Sequence, residues 1–433
     1  MQITLDYGRG KLSVDLPDDC DVTVVEKTPI PVLDAPEAAV RAALAEPDGS
    51  APLATVARGK RSACILICDI TRPVPNGLLL RPLIETLMAS GMAADAITVL
   101  VATGLHRPNE GDELAQLIGD SWVLEHVRVE NHFARDHDAH VDLGRTPGRG
   151  VPVKLDRRFV EAELKLVTGL VEPHFMAGYS GGRKVIAPGI AHEDTIRTFH
   201  NAAFMGHAKA TQCVLDGNPL HEEQLAIVRM VGEVFAVNTV IDEHRRLSFV
   251  NFGEIVASHG AAVAFAHEAT RVPVARQFHT VLTSAAGYPL DRTYYQTVKG
   301  MVTPMAILAD GADLIVASDC SEGLGSPEYR TSQARLLQLG TDGFLAEIGA
   351  RAFAEVDEWQ TQMQLRPMRA ADVSLYSEGL PAADRPLTGV RMIERISEAV
   401  EASFARSGER SIAVIPEGPY VVPYLEHNQV VAQ

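Results

Sequence analysis

Eight side chains with proton-transfer or anion-binding chemistry fall just beyond apolar runs: Asp69, Arg72, His106, His174, Lys184, His200, Gln296 and Lys299. Arginine grips a carboxylate through two parallel N–H donors, lysine offers a point charge, and imidazole titrates near neutral pH and passes protons either way. The densest stretch is 171–200, VEPHFMAGYSGGRKVIAPGIAHEDTIRTFH, where His174, Lys184 and His200 surround the turn formed by Ser180, Gly181, Gly182 and Arg183. Adjacent glycines let backbone amides approach an anion, so a phosphate or carboxylate is expected at Ser180, Gly181 and Gly182. Taken singly, each residue has a plainer account. A lone histidine is usually structural, most lysines are solvated, and any tight turn demands glycines. Their concentration is what points to a ligand. Two histidines facing one ligand would permit proton chemistry from both sides of it.

The runs Ala63–Cys68, Ala96–Val101, Leu164–Leu170, Thr280–Thr283 and Ala312–Ala317 have the apolar character of buried parallel strands. Helical stretches at Pro36–Ala45, Gly77–Gly91, Glu193–His200, Glu222–Val231 and Phe252–Ala269 alternate with them. Strand, loop and helix in repetition predict an α/β protein with central, mostly parallel sheets and ligands beyond the strands' carboxyl ends. A chain of 433 residues exceeds one hydrophobic core. Two α/β lobes with an active-site cleft between them are therefore expected. The N-terminal domain, residues 1–272, would bind a cofactor, and the C-terminal domain, residues 273–410, would contribute substrate-binding residues. The proline-rich tail from about 411 to 433 is expected to pack back on the first domain or along an edge. The opening segments ITLDYG and KLSVDLP flank Gly8-Arg9-Gly10 as a hairpin. Further on, Tyr295 and Lys299 share a helical face, with Gln296 beside them.

Composition narrows the function classes. No apolar run is long enough to cross a bilayer, and the first residues lack the basic, apolar and small-residue pattern of a secretory signal, so a cytoplasmic protein is expected. A formal charge of −17 disfavours nucleic acid and acidic membrane surfaces as partners. Five scattered cysteines, Cys20, Cys64, Cys68, Cys213 and Cys320, suit reduced thiols, and no zinc site follows from their spacing. His132, His137 and His140 fall close together, but their spacing fits no standard metal site and reads as a solvated loop. No G-x-G-x-x-G, Walker lysine-serine or G-x-S-x-G motif follows any strand.

The motifs themselves carry a family pattern: DITRP at 69–73, TGLHRP at 103–108, EPHFMAGYSGGRK at 172–184, APGIA at 187–191, YPLD at 288–291 and YQTVKG at 295–300. Weaker echoes are YGRGKLSVDLPDD at the start, the DHDAH region and DEWQ at 357–360. In this order, over nearly the whole chain, the sequence resembles the nickel-dependent lactate racemases, within the broader 2-hydroxyacid racemases and epimerases. The resemblance implies reversible hydride transfer from substrate C2 to a nickel-pincer cofactor, pyridinium-3,5-bisthiocarboxylic acid mononucleotide, attached through Lys184. By the same carry-over His200 is the nickel ligand, and His106 and His174 are the general bases. Arg72, Gln296 and Lys299 hold the substrate carboxylate and alcohol, and Asp69 lies beside the cofactor. Tyr295, with Tyr294 and Trp359, would either shape the pocket for the third substituent or serve as packing. A small 2-hydroxy acid and the cofactor-synthesis enzymes are the implied partners. The substrate could equally be malate, phenyllactate or a sugar acid such as gluconate. A non-catalytic cofactor carrier is the other reading, and retention of both histidines speaks against it. The oligomeric state is left open, a homo-oligomer included.

Overall fold

A computed structural model describes residues 1–426. The chain forms two compact units: 29–199 with 208–269, and 1–28 with 200–207 and the chain from Thr270 onward. The division differs from the expected break after residue 272, because residues 1–28 and 200–207 join the unit built by the C-terminal half.

Among the described residues, the unit that begins at Pro29 holds a six-stranded sheet. Its order is Leu247–Glu254, Phe235–Ile241, Leu164–Leu170, Ala63–Cys68, Ile97–Ala102, Arg128–Asn131. Only the edge pair Phe235–Ile241 with Leu247–Glu254 is antiparallel. Ile65 and Ile67 pack into one core with Leu79, Leu83 and Leu87 of the helix Asn76–Ala89, while Leu66, on the opposite pleat, is equally buried. Burial on both faces is why Ala63–Cys68 is a continuous apolar run instead of an alternating one. The chain runs from this strand outward to Ile97–Ala102 and Arg128–Asn131, then returns to the other side of it with Leu164–Leu170. The strand order thus reverses at Ala63–Cys68, the place where open α/β sheets form a ligand crevice.

The other unit carries a second six-stranded sheet, ordered Arg391–Ile393, Ala371–Tyr376, Leu308–Ala317, Phe278–Ser284, Ser411–Ile415, Asp21–Val24, and parallel throughout. Here the order reverses at Phe278–Ser284, whose following loop leads into the helix Tyr294–Val302. The N-terminal hairpin forms as expected, pairing Tyr7 with Gly10, and its Leu5 and Val14 join the core of this unit.

The C-terminal stretch, expected to pack on the first domain or along an edge, stays within its own unit, where its partners include Asp21–Val24 from the start of the chain. Ser411–Ile415 is buried along its length and fills an inner position, paired on both sides within the sheet of its own unit. Beyond it, Val422–Leu425 pairs in parallel with Arg271–Val274, also of the same unit. An apolar strand without polar alternation needs a neighbour on each side, and that requirement outweighs the prolines that follow. Residues 427–433 of the expected tail lie outside the described residues.

One turn in the first sheet's unit depends on glycine by necessity. Gly178 adopts φ +78° opposite His174 in a two-residue hairpin, and a Cβ there would lie 2.3 Å from the Val214 carbonyl oxygen. Gly59 has a similar φ of +76° with nothing near it. Gly178→Ala is expected to cost roughly 2–5 kcal/mol, backbone strain plus overpacking, against about 1–2 kcal/mol for Gly59→Ala, which carries strain alone. Urea unfolding of the two variants checks this, and equal losses would show that the hairpin yields to the added methyl.

Candidate active site

Three neighbouring parallel strands, Leu164–Leu170, Ala63–Cys68 and Ile97–Ala102, deliver their carboxyl-terminal loops to one edge of the sheet. The loops are tied by two side-chain pairs, each with one carboxylate. Asp69 Oδ2 lies 2.6 Å from His106 Nδ1, joining the second loop to the third. The Arg72 guanidinium donates from Nη1 to Glu172 Oε1, joining the second to the first. Glu172 was not among the residues singled out from sequence; its position directly after the strand that ends at Leu170 was the available signal.

Asp69 is only 5% exposed, yet it stays ionised. Burial pushes its carboxyl up, but the hydrogen bond and charge of His106, the Thr71 hydroxyl at 2.5 Å and the Arg72 charge together hold it below the ordinary carboxylate value. An ionised carboxylate only accepts, so His106 Nδ1 donates. The His106 side chain itself is 62% exposed. Asp69 therefore acts on His106 and Thr71, a role the sequence pattern alone did not reveal.

His174 is held differently. Its Nδ1 accepts from the amides of Met176 and Ala177, at 3.3 and 3.2 Å, within the hairpin that pairs Pro173 with Tyr179 and His174 with Gly178. Ser180 closes the base of this loop. Its amide donates to the Glu172 carbonyl, its hydroxyl donates to Leu170, and the Glu172 amide donates back to that hydroxyl. The two glycines that follow have a packing reason: a Cβ would sit 2.7 Å from Val171 Cγ2 at Gly181 and 2.8 Å from His259 Cδ2 at Gly182. Arg183, placed in this turn from sequence but given no role there, is fully buried. It donates to the Ala177 and Tyr179 carbonyls and to His259 Nε2, clipping the loop to the helix Ile255–Thr270. Burial lowers its pKa to about 9.

Lys184 is half-buried between fully buried neighbours in the short helix Arg183–Ile186. Its charge and that of Arg72 both reach Cys68, the last residue of the central strand. Burial raises that thiol to about 12 against the pull of those two cations. Lys184, Arg72, Asp69 and Cys68 thus share one neighbourhood.

In the other unit, His200 is 8% exposed, and its ring lies 4.9 Å from that of Trp359. Trp359 Nε1 donates to the Tyr295 hydroxyl at 3.2 Å, and Gln360 donates to the Tyr295 carbonyl at 2.6 Å. Burial drives the Tyr295 phenol well above its usual range, so it remains protonated. Thr293 caps the helix that carries Tyr295, Gln296 and Lys299, and the buried Gln296 Oε1 has no hydrogen-bond partner among the described residues. An unpartnered buried carbonyl costs free energy unless a ligand or water donates to it.

The stretch from His132 to His140 is solvated in its middle, where His137 is exposed, and departs from that reading at its two ends. His132 and His140 are buried, and with His192 their rings stack edge to face at 5.1 Å spacings. His132 pairs with the buried Asp156 and with the Ala191 carbonyl. Among the described residues no group of three or more His, Cys, Asp or Glu side chains is arranged to hold a metal ion, and no helix is long and apolar enough to cross a membrane.

The Asp69–His106 pair sets a pH dependence. A carboxyl whose folded pKa lies below its unfolded value contributes stability above the unfolded pKa and loses it as pH falls through the folded one. Asp69→Asn is expected to cost about 1–2 kcal/mol at pH 7, the lower part of the range for a bond to a charged group, because His106 is largely exposed. Urea titrations at pH 7 and in the acid range should show the gap between wild type and variant closing. A gap that persists in acid would mean that Asp69 is not held low.

Residues 7–212 match the lactate racemase N-terminal domain and residues 274–422 match the lactate racemase C-terminal domain. The lactate racemase of Thermoanaerobacterium thermosaccharolyticum is 31% identical over 97% of this chain and 98% of its own. That of Lactiplantibacillus plantarum is 30% identical over 88% of this chain and 90% of its own. The structure of the Thermoanaerobacterium lactate racemase apoprotein superposes with a TM-score of 0.89 at 28% identity, covering 98% of this chain and all of that one. A Thermotoga maritima protein, 17% identical with a TM-score of 0.63, shares the fold over 90% of this chain and 98% of its own. The match of both domains and the span of the relatives place this chain in the lactate racemase family.

Proposed function

We propose that this protein is a 2-hydroxyacid racemase of the lactate type, using a nickel-pincer nucleotide attached at Lys184, with His200 as the nickel ligand and His106 and His174 as proton-transfer groups. The observation that carries the proposal is the pairing of Asp69 with His106 and of Arg72 with Glu172 on adjacent loops at the point where the strand order reverses. A half-buried lysine on a rigid, otherwise buried helix beside the Cys68 thiol suits a covalent anchor. A buried histidine packed against an indole suits a single imidazole donor to a metal whose remaining donors belong to the cofactor. When bound, that group supplies reversible hydride acceptance at substrate C2.

The chain's own residues do the rest. Arg72 already binds a carboxylate in Glu172, and in this reading the substrate carboxylate takes that place. Lys299 adds a cation and, in the same reading, Gln296 beside it helps to hold the substrate alcohol through its side-chain amide. His106 takes a hydroxyl proton, and Asp69 stabilises the imidazolium that results. His174 serves the opposite face of the keto acid formed midway. The anion contact read at Ser180, Gly181 and Gly182 enters the proposal through the two glycine amides, because the Ser180 amide donates to the Glu172 carbonyl and the side-chain space at both glycines is filled. The cofactor-synthesis enzymes are the maturation partners in this reading, and the third substituent of the substrate is read near Tyr295 and Trp359.

Co-expression with cofactor-synthesis enzymes, then intact mass, nickel content and an optical-rotation assay on a panel of 2-hydroxy acids, tests the reading. Lys184→Ala is expected to lose both the mass adduct and activity. His106→Ala and His174→Ala should each reduce racemisation by at least about 100-fold, the usual contribution of a proton-transfer group, while retaining nickel. Loss of nickel in either variant would show that a ligand has been taken for a base. An active Lys184→Ala protein with an intact adduct would remove the anchor assignment.

A further inference from the structure

His106 and His174 differ in which ring nitrogen the protein occupies and with what. On His106, Nδ1 faces the ionised Asp69 at 2.6 Å and must carry the hydrogen, so in the neutral ring Nε2 holds the lone pair. On His174, Nδ1 accepts from two backbone amides, Met176 and Ala177, so in the neutral ring the hydrogen sits on Nε2. Both constraints are built into the frame. The carboxylate hangs from the end of the central strand, and the amides belong to a hairpin fixed by Gly178, whose Cβ space is taken by Val214, and by Arg183, which binds the carbonyls on either side of that glycine.

We infer that the two histidines are held in opposite tautomers, so that the resting site presents a proton acceptor at His106 and a hydrogen-bond donor at His174. The inference rests on reading these histidines as the proton-transfer pair, and it makes that pair unequal. A substrate hydroxyl beside His106 gives its proton to Nε2: the O–H bond breaks, an N–H bond forms, and the imidazolium faces Asp69; the bound cofactor would supply the acceptor for the C2 hydride. A hydroxyl beside His174 meets an N–H. Proton acceptance there first requires the hydrogen to leave Nε2 for Nδ1, which breaks the bonds from Met176 and Ala177. Asp69 and the hairpin amides are positioning groups in this account.

The kinetic consequence is constrained by symmetry. Mirror-image substrates have equal free energy in an achiral solvent, so kcat/KM is the same from either enantiomer. The inequality of the bases therefore appears as a kcat and a KM that differ between enantiomers by one common factor. About tenfold is expected, the factor an ordinary hydrogen bond represents.

The direct test needs no turnover. In histidine-labelled protein near pH 8, long-range 1H–15N spectra distinguish protonated from unprotonated ring nitrogens, with His106→Ala and His174→Ala identifying the signals. The expected pattern is a protonated Nδ1 on His106 and a protonated Nε2 on His174. Asp69→Ala should move His106 toward the Nε2–H form and leave His174 unchanged. Identical tautomers on the two rings, or a His174 signal that follows the Asp69 substitution, would overturn the inference. Opposite tautomers in a protein that racemises no 2-hydroxy acid would instead sink the functional proposal and leave the tautomers standing.

Discussion

Parallel pairing of the strands that end at Leu170, Cys68 and Ala102 is the constraint on which the rest depends. Parallel strands point the same way, so the loops that leave them emerge at one edge, and a reversal of strand order opens a gap between the outgoing chains. Asp69 and Arg72 stand at that reversal. Each reaches sideways to a neighbouring loop, Asp69 to His106 and Arg72 to Glu172, so the loops are fixed by charged hydrogen bonds and not by their own short length. Because Asp69 is buried, its pairing with His106 is stronger than an exposed ion pair would be.

The loop that carries His174 and Lys184 is rigid for a different reason. Its glycines allow the backbone to lie against Val171, His259 and Val214, and the buried Arg183 joins its carbonyls to a neighbouring helix. A guanidinium without a carboxylate in such a place is costly, and its depressed pKa is the sign of that cost. Flanking rigidity is what a covalent attachment at Lys184 and a defined tautomer at His174 would both require.

Much of this was legible in the residues. Apolar runs marked Ala63–Cys68 and Leu164–Leu170 as buried strands, and Asp69 and Arg72 stand in the loop beyond the first, whereas Lys184, Gln296 and Lys299 sit on helices. What the sequence could not show was pairing across distance. Glu172 opposite Arg72 and Asp69 beside His106 join positions 100 and 37 residues apart, with no local pattern to record it. The tail is a related case: Val422–Leu425, beyond the prolines that follow Ile415, lies outside the six-stranded sheet, whereas the inner position of Ser411–Ile415 is set by strands distant in sequence. The histidines at 132 and 140 looked solvated among charged neighbours, but their burial comes from Asp156, Ala191 and His192, again supplied from elsewhere.

The central claim concerns how hydrogen leaves and returns at substrate C2. Racemisation of lactate carrying deuterium at C2, run in ordinary water by the cofactor-loaded protein, tests it most directly. In the proposed mechanism the histidines handle only the hydroxyl proton, so the product enantiomer is expected to keep its deuterium. Product in which the label has washed out into solvent would contradict it and assign direct C2 deprotonation to the same two histidines.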